Sequence, residues 1–339
     1  MDKFFTEPVF QVDHETFSWR DVVLFTHERG DWEDLLEEIQ AGLAAVRHFA
    51  HLDDEALEEQ ADAAAAEFRY DRELITAEET EAWLRARGVT AAEWLASIRR
   101  TVYREHCADR LTGLGAAAAG DEITGAIRVE LRCTGLGHRL AERCAEYAAV
   151  AAAVGRLTPS AAEAEIPASL PPGLDPDHAR TRLPLLAGML EGAEEFRQAA
   201  ITDEAIRREI QHHKMEWVRL ECRALAFADP SPAREAALCL KDDRQSMEDV
   251  AASAHLEATD MRFYVDELDL ALQPYFVSAM AGDVIGPSAV GESWTLFQVL
   301  SKTMPGESDP ELRDRAAGRL FARALANEAQ RRVHWLTVF

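Results

Sequence analysis

The sequence has no run of apolar residues long enough to span a bilayer; its longest Ala-rich stretch, 147–154, is too short. Its first residues, Met1-Asp-Lys-Phe-Phe-Thr-Glu-Pro8, carry no basic segment followed by an apolar run. No secretory signal is expected there, and the expectation that follows is a cytoplasmic location. Cysteine is scarce and odd in number. Cys107, Cys133, Cys144, Cys222 and Cys239 form no C-x-x-C pair, so reduced, mostly buried thiols are expected. Positive charge is outweighed, with 36 Lys and Arg against 61 Asp and Glu, for a net charge of −25. With no basic patch set apart, a phosphate backbone would be repelled and nucleic acid is excluded as a partner. The acidic surface serves solubility, with a preference for basic peptides as the functional alternative. There is no G-x-S-x-G elbow, no Walker loop and no G-x-G-x-x-G after a strand; Gly135-Leu-Gly137 lacks the third glycine.

What is present is enough chain, 339 residues with 47% hydrophobic and 29% charged, for two or three compact units. Residues 19–153 read as helices joined by short turns. Thr76-Ala-Glu-Glu79 and Thr90-Ala-Ala-Glu93 are capping boxes, and Gly88 stops the helix between them. Trp83 and Leu84, then Trp94, Leu95 and Ile98, recur at helical spacing and are expected in the core. Pro159, Pro167, Pro171, Pro172 and Pro176 mark a linker. Helical periodicity returns over 177–200 and 202–217, the second helix capped by Thr202. Residues 219–227 then have the length and composition of one strand, ended by Pro230 and Pro232. Helices over 233–239 and from the Ser246 cap to 254, and a last strand over 293–300, complete a small α+β domain with an antiparallel sheet. A final helix is expected over 310–332, with Pro310 at its first position, followed by a tail of strand composition.

Three stretches of residues 201–305 resemble the parvulin-type proline isomerases of the SurA and PpiC family. They are the lead-in from Ile201-Thr-Asp-Glu-Ala-Ile206 to Phe227, the helix pair over 233–252, and Gly282-Asp-Val-Ile-Gly-Pro287 with Ser293-Trp-Thr-Leu-Phe-Gln-Val299. The stretch Ala233-Arg-Glu-Ala-Ala-Leu-Cys239 is similar to a PpiC-related peptide maturation subgroup. The resemblance implies a mostly helical SurA-like N-terminal module (1–155), a Pro-rich linker (156–177), connecting helices (178–216), a parvulin-like domain (217–305), and a C-terminal helix and tail (306–339) that completes the N-terminal module. It also implies a catalytic pocket with two histidines on facing strands. The first of those positions falls on Cys222 or Arg223, and the closing one on Thr295. The pocket is therefore expected to be degenerate. Leu268, Leu272, Phe276, Trp294 and Phe297 fall where the family builds its peptide groove, and burial as core is the alternative reading of each. Gly282 and Gly286-Pro287 are expected to shape the turn before the closing strand.

The expected function is that of a peptide-binding chaperone or maturation partner for an extended or proline-containing peptide, or for an unfolded protein. An active peptidyl-prolyl isomerase using Cys222, Arg223 and Thr295 is the first alternative. A peptide-modifying enzyme is the second, with its reaction centre in the helical module around Arg104, Glu105, His106 and His138. No cofactor and no metal are expected: Glu209 to His212 is a single Glu-x-x-His spacing, and His48-Phe-Ala-His51 has no identifiable third ligand. The oligomeric state is left open.

Overall fold

The computed structural model describes residues 3–49, 55–110, 120–158, 166, 169–337 and 339. Two compact units emerge, a larger one of Met1–Ala199 with Ala324–Phe339, and a smaller one of Ala200–Arg323. The fold class is α+β, with helices dominant and two small antiparallel sheets.

In the larger unit β1 (Pro8–Val12) and β2 (Glu15–Ser18) form a hairpin. The tail strand β7 (Val333–Trp335) pairs on the other side of β1, giving the order β2-β1-β7. Phe10 and Phe17 are fully buried and stack at 4.7 Å between ring centroids. The helices are α1 (Trp19–Glu28), α2 (Glu33–Phe49), α3 (Glu55–Tyr70), α4 (Ala77–Ala86), α5 (Ala91–His106), α6 (Gly120–Cys133), α7 (Leu136–Ala153) and α8 (Pro176–Ala200).

Their starts follow the expected chemistry. Thr76 and Thr90 each accept from the backbone N–H of Glu79 and Glu93, whose carboxylates accept in return from the Thr backbone N–H. Gly88, at φ +61, leaves α4 by a left-handed turn. Leu84 and Trp94 are buried with Val129 and Cys133, but Leu95 is exposed. One residue further along a helix is a rotation of about 100°, so inward Trp94 turns Leu95 to solvent. The proline-rich stretch is no free linker in its described residues, since Leu157, Leu170 and Leu174 pack against the main core. Pro159 and Pro167 lie outside the described residues.

The Gly135-Leu-Gly137 step is a packing device. A Cβ on Gly137 would run into the carbonyl oxygen of Leu131 and come within 2.8 Å of the Trp19 ring. Gly137→Ala is expected to cost about 1–3 kcal/mol through overpacking, measured as a lowered urea midpoint with unchanged slope.

In the smaller unit α9 (Asp203–His212) is capped by Thr202, which accepts from the Ala205 N–H. The helix stops at His212, short of the expected Trp217. Trp217 is fully buried with Ile210, Tyr264, Leu312 and Ala316, its indole N–H donating to Asp266 at 3.0 Å. There follow β3 (Arg219–Phe227), α10 (Pro230–Lys241), α11 (Met247–Ala254), β4 (Thr259–Tyr264), α12 (Gln273–Ser278), β5 (Val284–Val290) and β6 (Ser293–Thr303). Pro230 does more than end β3, because it opens α10 in the first turn, where its missing N–H has no helical partner to lose. The strands pair antiparallel in the order β4-β3-β6-β5. Alternation divides the sheet into two faces. Leu225, Phe227 and Leu296 pack against Ala233, Ala237 and Val250 of α10 and α11. Leu220, Cys222, Ala224, Phe297 and Val299 pack against Phe276 and Ile285. The last helix, α13 (Pro310–Arg332), has the expected bounds; Leu312 and Ala316 belong to the smaller unit, and the part beyond Arg323 to the larger.

Candidate functional site

The helix α12 is held over the sheet by a side chain from β6. Lys302 Nζ donates to the carbonyls of Phe276, Val277 and Ala279, three groups left without helical partners at the end of α12. The loop that follows is tied to β6 through Gly282 N–H to Val299 O at 2.7 Å and Val299 N–H to Asp283 O at 2.9 Å. These bonds fix a gap between α12 and β5. The gap is a groove of about 870 Å³, walled by Leu272, Tyr275, Ile285, Pro287 and Trp294, with Lys241, Asp269 and Asp283 at its polar positions.

One wall is an edge. In the order β4-β3-β6-β5, the strand β5 has a sheet neighbour on one side only. Pro287 interrupts the donor row, and the Gly286 carbonyl accepts from Lys241 Nζ at 3.4 Å. Gly286 itself sits at φ +102, where a Cβ would lie 2.6 Å from the Thr295 carbonyl oxygen. It shapes the strand edge within β5, whereas Gly282, at φ +95, serves the preceding turn. Around the groove Leu270 is 83%, Tyr275 63% and Met280 72% exposed. Such a set of large apolar side chains open to water beside an edge strand makes this face the candidate site.

Of the five residues expected to form a peptide groove, Leu272 and Trp294 line this one. Phe276 and Phe297 are buried core, 5.3 Å apart between ring centroids, and Leu268 packs against that core. Tyr275, Leu270, Met280 and the β5 edge were not singled out from the sequence.

The expected catalytic positions do not converge. Cys222 lies opposite Val299, whereas Thr295 lies opposite Ala226, four positions along the same ladder. At a strand rise of about 3.3 Å that is a separation of roughly 13 Å. Cys222 is fully buried, and burial pushes its thiol up to about 11, so it stays protonated at neutral pH. Arg223 points to the opposite face of the sheet, where it pairs with both carboxylate oxygens of Asp260, at 2.7 and 3.0 Å, and with Glu248. The Asp260 hydrogen bond first, and the charges of Asp260 and Glu248 after it, push the Arg223 pKa up. Thr295 is buried and is not among the residues that line the groove. No histidine lines the groove either.

In the larger unit the four candidates for a reaction centre do not share one cavity, although Arg104 and Glu105 lie 3.8 Å apart. Arg104 is paired with Glu38 at 3.0 Å, and it lines a cavity of about 210 Å³ with Arg100 and Glu130. Glu105 and His106 are exposed, and His138 lies at a different cavity. Burial raises the Glu130 carboxyl against the opposing pull of Arg100. Glu209, the acid of the single Glu-x-x-His spacing, is clamped by Arg323 at 2.9 and 3.1 Å, while His212 is exposed. Among the described residues no group of three or more His, Cys, Asp or Glu is gathered to hold a metal. His48 is exposed at the end of α2, and His51 lies outside the described residues. Among the described residues no helix is long and apolar enough to cross a membrane.

No family model matches the chain. No curated protein matches it either. Among solved structures it is similar to a chain from work on PEB4 and the periplasmic protein Cj1289, two SurA-like chaperones of Campylobacter jejuni. The match covers 98% of this chain and 99% of that one at 10% identity, with a TM-score of 0.19. At that score the likeness carries no argument, and the α+β class rests on the elements themselves.

Proposed function

We propose that the smaller unit holds an extended, apolar or proline-containing stretch of a peptide or unfolded protein, laid along the open edge of β5. The observation that carries this reading is the coincidence of an unpaired sheet edge with an apolar groove and the exposed Leu270, Tyr275 and Met280. Edge pairing supplies sequence-independent backbone hydrogen bonds, and side-chain pockets add selectivity. Asp269 and Asp283 at the groove favour clients with basic flanks. This role is that of a chaperone or maturation partner. It includes no isomerase step, because the groove offers no imidazole and Cys222 and Thr295 stand apart. A reducing, cytoplasmic setting is part of the proposal, in keeping with five free cysteines, of which all but Cys239 are buried.

The test is Tyr275→Glu, which puts a charge into the groove from a position 63% exposed. Binding of a dye-labelled, reduced unfolded protein, read by fluorescence anisotropy, is expected to weaken roughly tenfold, as for an interface anchor. The melting temperature should stay within about 2 °C of the parent, as for a surface change. Unchanged binding by a folded variant would remove the groove from consideration.

A further inference from the structure

The larger unit contains an arginine-lined pocket that the groove reading does not involve. Between the α3–α4 region, the end of α6, the start of α7 and the tail lies a pocket of about 240 Å³. Arg72, Arg87 and Arg132 line it, and among its described lining residues there is no Asp or Glu. In a chain of net charge −25, three guanidinium groups around one cavity with no Asp or Glu side chain among its described lining residues are against the trend. Arg132 is neutralised by Glu7 and donates to the Arg87 carbonyl. Arg72 and Arg87 have no carboxylate within ion-pair distance among the described residues.

Both are held in place by other means. The Arg72 guanidinium lies 3.7 Å from the Phe68 ring centroid and donates to the carbonyls of Phe68 and Cys133. Arg87 lies 3.7 Å from the Trp83 centroid and donates to the Trp83 carbonyl. Each guanidinium carries five N–H donors in a planar fork, so stacked and half-used forks are preorganised for an oxyanion. Burial first, and the neighbouring Arg72 charge after the opposing effect of Cys133, lower the Arg87 pKa, the sign of a cation short of counter-charge. The remaining walls are mostly apolar, with His138 and Thr337 as their polar members. Trp19, Trp83 and Phe339 face the cavity, and Cys133, whose thiol burial pushes up to about 11, contributes a neutral group.

We propose that this pocket binds a carboxylate carried on an aromatic or apolar body of about one amino-acid residue, through Arg72 and Arg87. The size follows from a volume below the roughly 300 Å³ at which pockets for drug-sized ligands begin. The preference for carboxylate over a neutral polar group follows from the paired forks, and the body from the aromatic walls. The carboxylate comes either from a free small acid or from the last residue of a peptide, and the chemistry is the same for both.

Calorimetric titration of the full chain with 3-phenylpropionate, with 3-phenylpropionamide and with a tetrapeptide ending in a free Phe carboxylate tests the proposal. At least one of the two carboxylates is expected to bind saturably, and the amide roughly tenfold to a hundredfold more weakly. Binding by the free acid alone identifies a small metabolite-like acid as the source; binding by the tetrapeptide alone identifies a peptide terminus. Arg87→Gln is expected to weaken the carboxylate by about tenfold or more and to leave the amide unchanged. No saturable binding by either carboxylate, or equal affinity for the amide, overturns the proposal, and both are read on the unaltered chain.

Discussion

Asp21→Ala is expected to destabilise the larger unit by about 3 kcal/mol. Asp21 is 2% exposed, and its carboxylate meets Arg182 at 2.7 Å, His178 at 3.2 Å and the Ser18 N–H at 2.7 Å. It joins three elements, since Arg182 on α8 also reaches Glu15 and the Thr16 carbonyl on β2, while Asp21 completes the capping box that Ser18 opens at the start of α1. Removing the carboxylate leaves a guanidinium 17% exposed with part of its charge uncompensated. In thermal unfolding the loss should appear as a fall of about 6–12 °C in Tm. The same group sets an acid limb. Burial alone would raise the Asp21 carboxyl, but His178, Arg182 and Ser18 together hold it below the ordinary 3.8. As pH falls, the unfolded chain takes up the proton first, so this stabilisation is present above 3.8 and is lost as pH falls through the lower folded value. Urea midpoints followed downward from about pH 5 should therefore drop less steeply in Asp21→Asn than in the parent.

Phe276→Ala is expected to cost about 4 kcal/mol, the usual penalty for emptying a buried aromatic site. The ring is fully buried, 5.5 Å from Phe263 and 5.3 Å from Phe297 between centroids. Its loss removes the anchor of α12 on the sheet, so α12 loses its seat together with the groove wall that Leu272 and Tyr275 provide. Denaturant unfolding of the variant measures the cost. A change below about 1 kcal/mol would mean that Phe276 sits at a site able to collapse around the vacancy.

Much of the helical order was legible because its signals are local. The Thr76, Thr90, Thr202 and Ser246 caps and Pro310 each act within one turn, and all mark helix starts in the structure. β3 and β6, the central strands, were legible through their composition. β4 and β5 were not: four of the six residues of β4 are exposed, and β5 contains Gly286-Pro287. An edge strand has little to bury, and its identity depends on which strand pairs with it. The candidate groove suffers from the same limit. Leu272 and Trp294 are apolar residues in the right stretch, but the open side of β5 exists only once the order β4-β3-β6-β5 is known. Phe276 and Phe297 illustrate the converse, since composition alone does not tell a groove wall from the core behind it. The arginine pocket was invisible for a related reason, as Arg72, Arg87 and Phe339 meet only through tertiary packing.

The pairing of β1 with β7 has a consequence for synthesis. Phe10 and Trp335, partners in that ladder, lie far apart in the sequence, so Phe10 is synthesised well before Trp335. The smaller unit, by contrast, is one continuous segment whose strands all lie between residues 219 and 303. Domains fold as units while the chain emerges, and contacts between distant residues form slowly. The smaller unit can thus be complete while the sheet of the larger one still lacks a strand. Until Val333–Trp335 arrives, the β1 edge that it will cover is open, with Phe10 beside it.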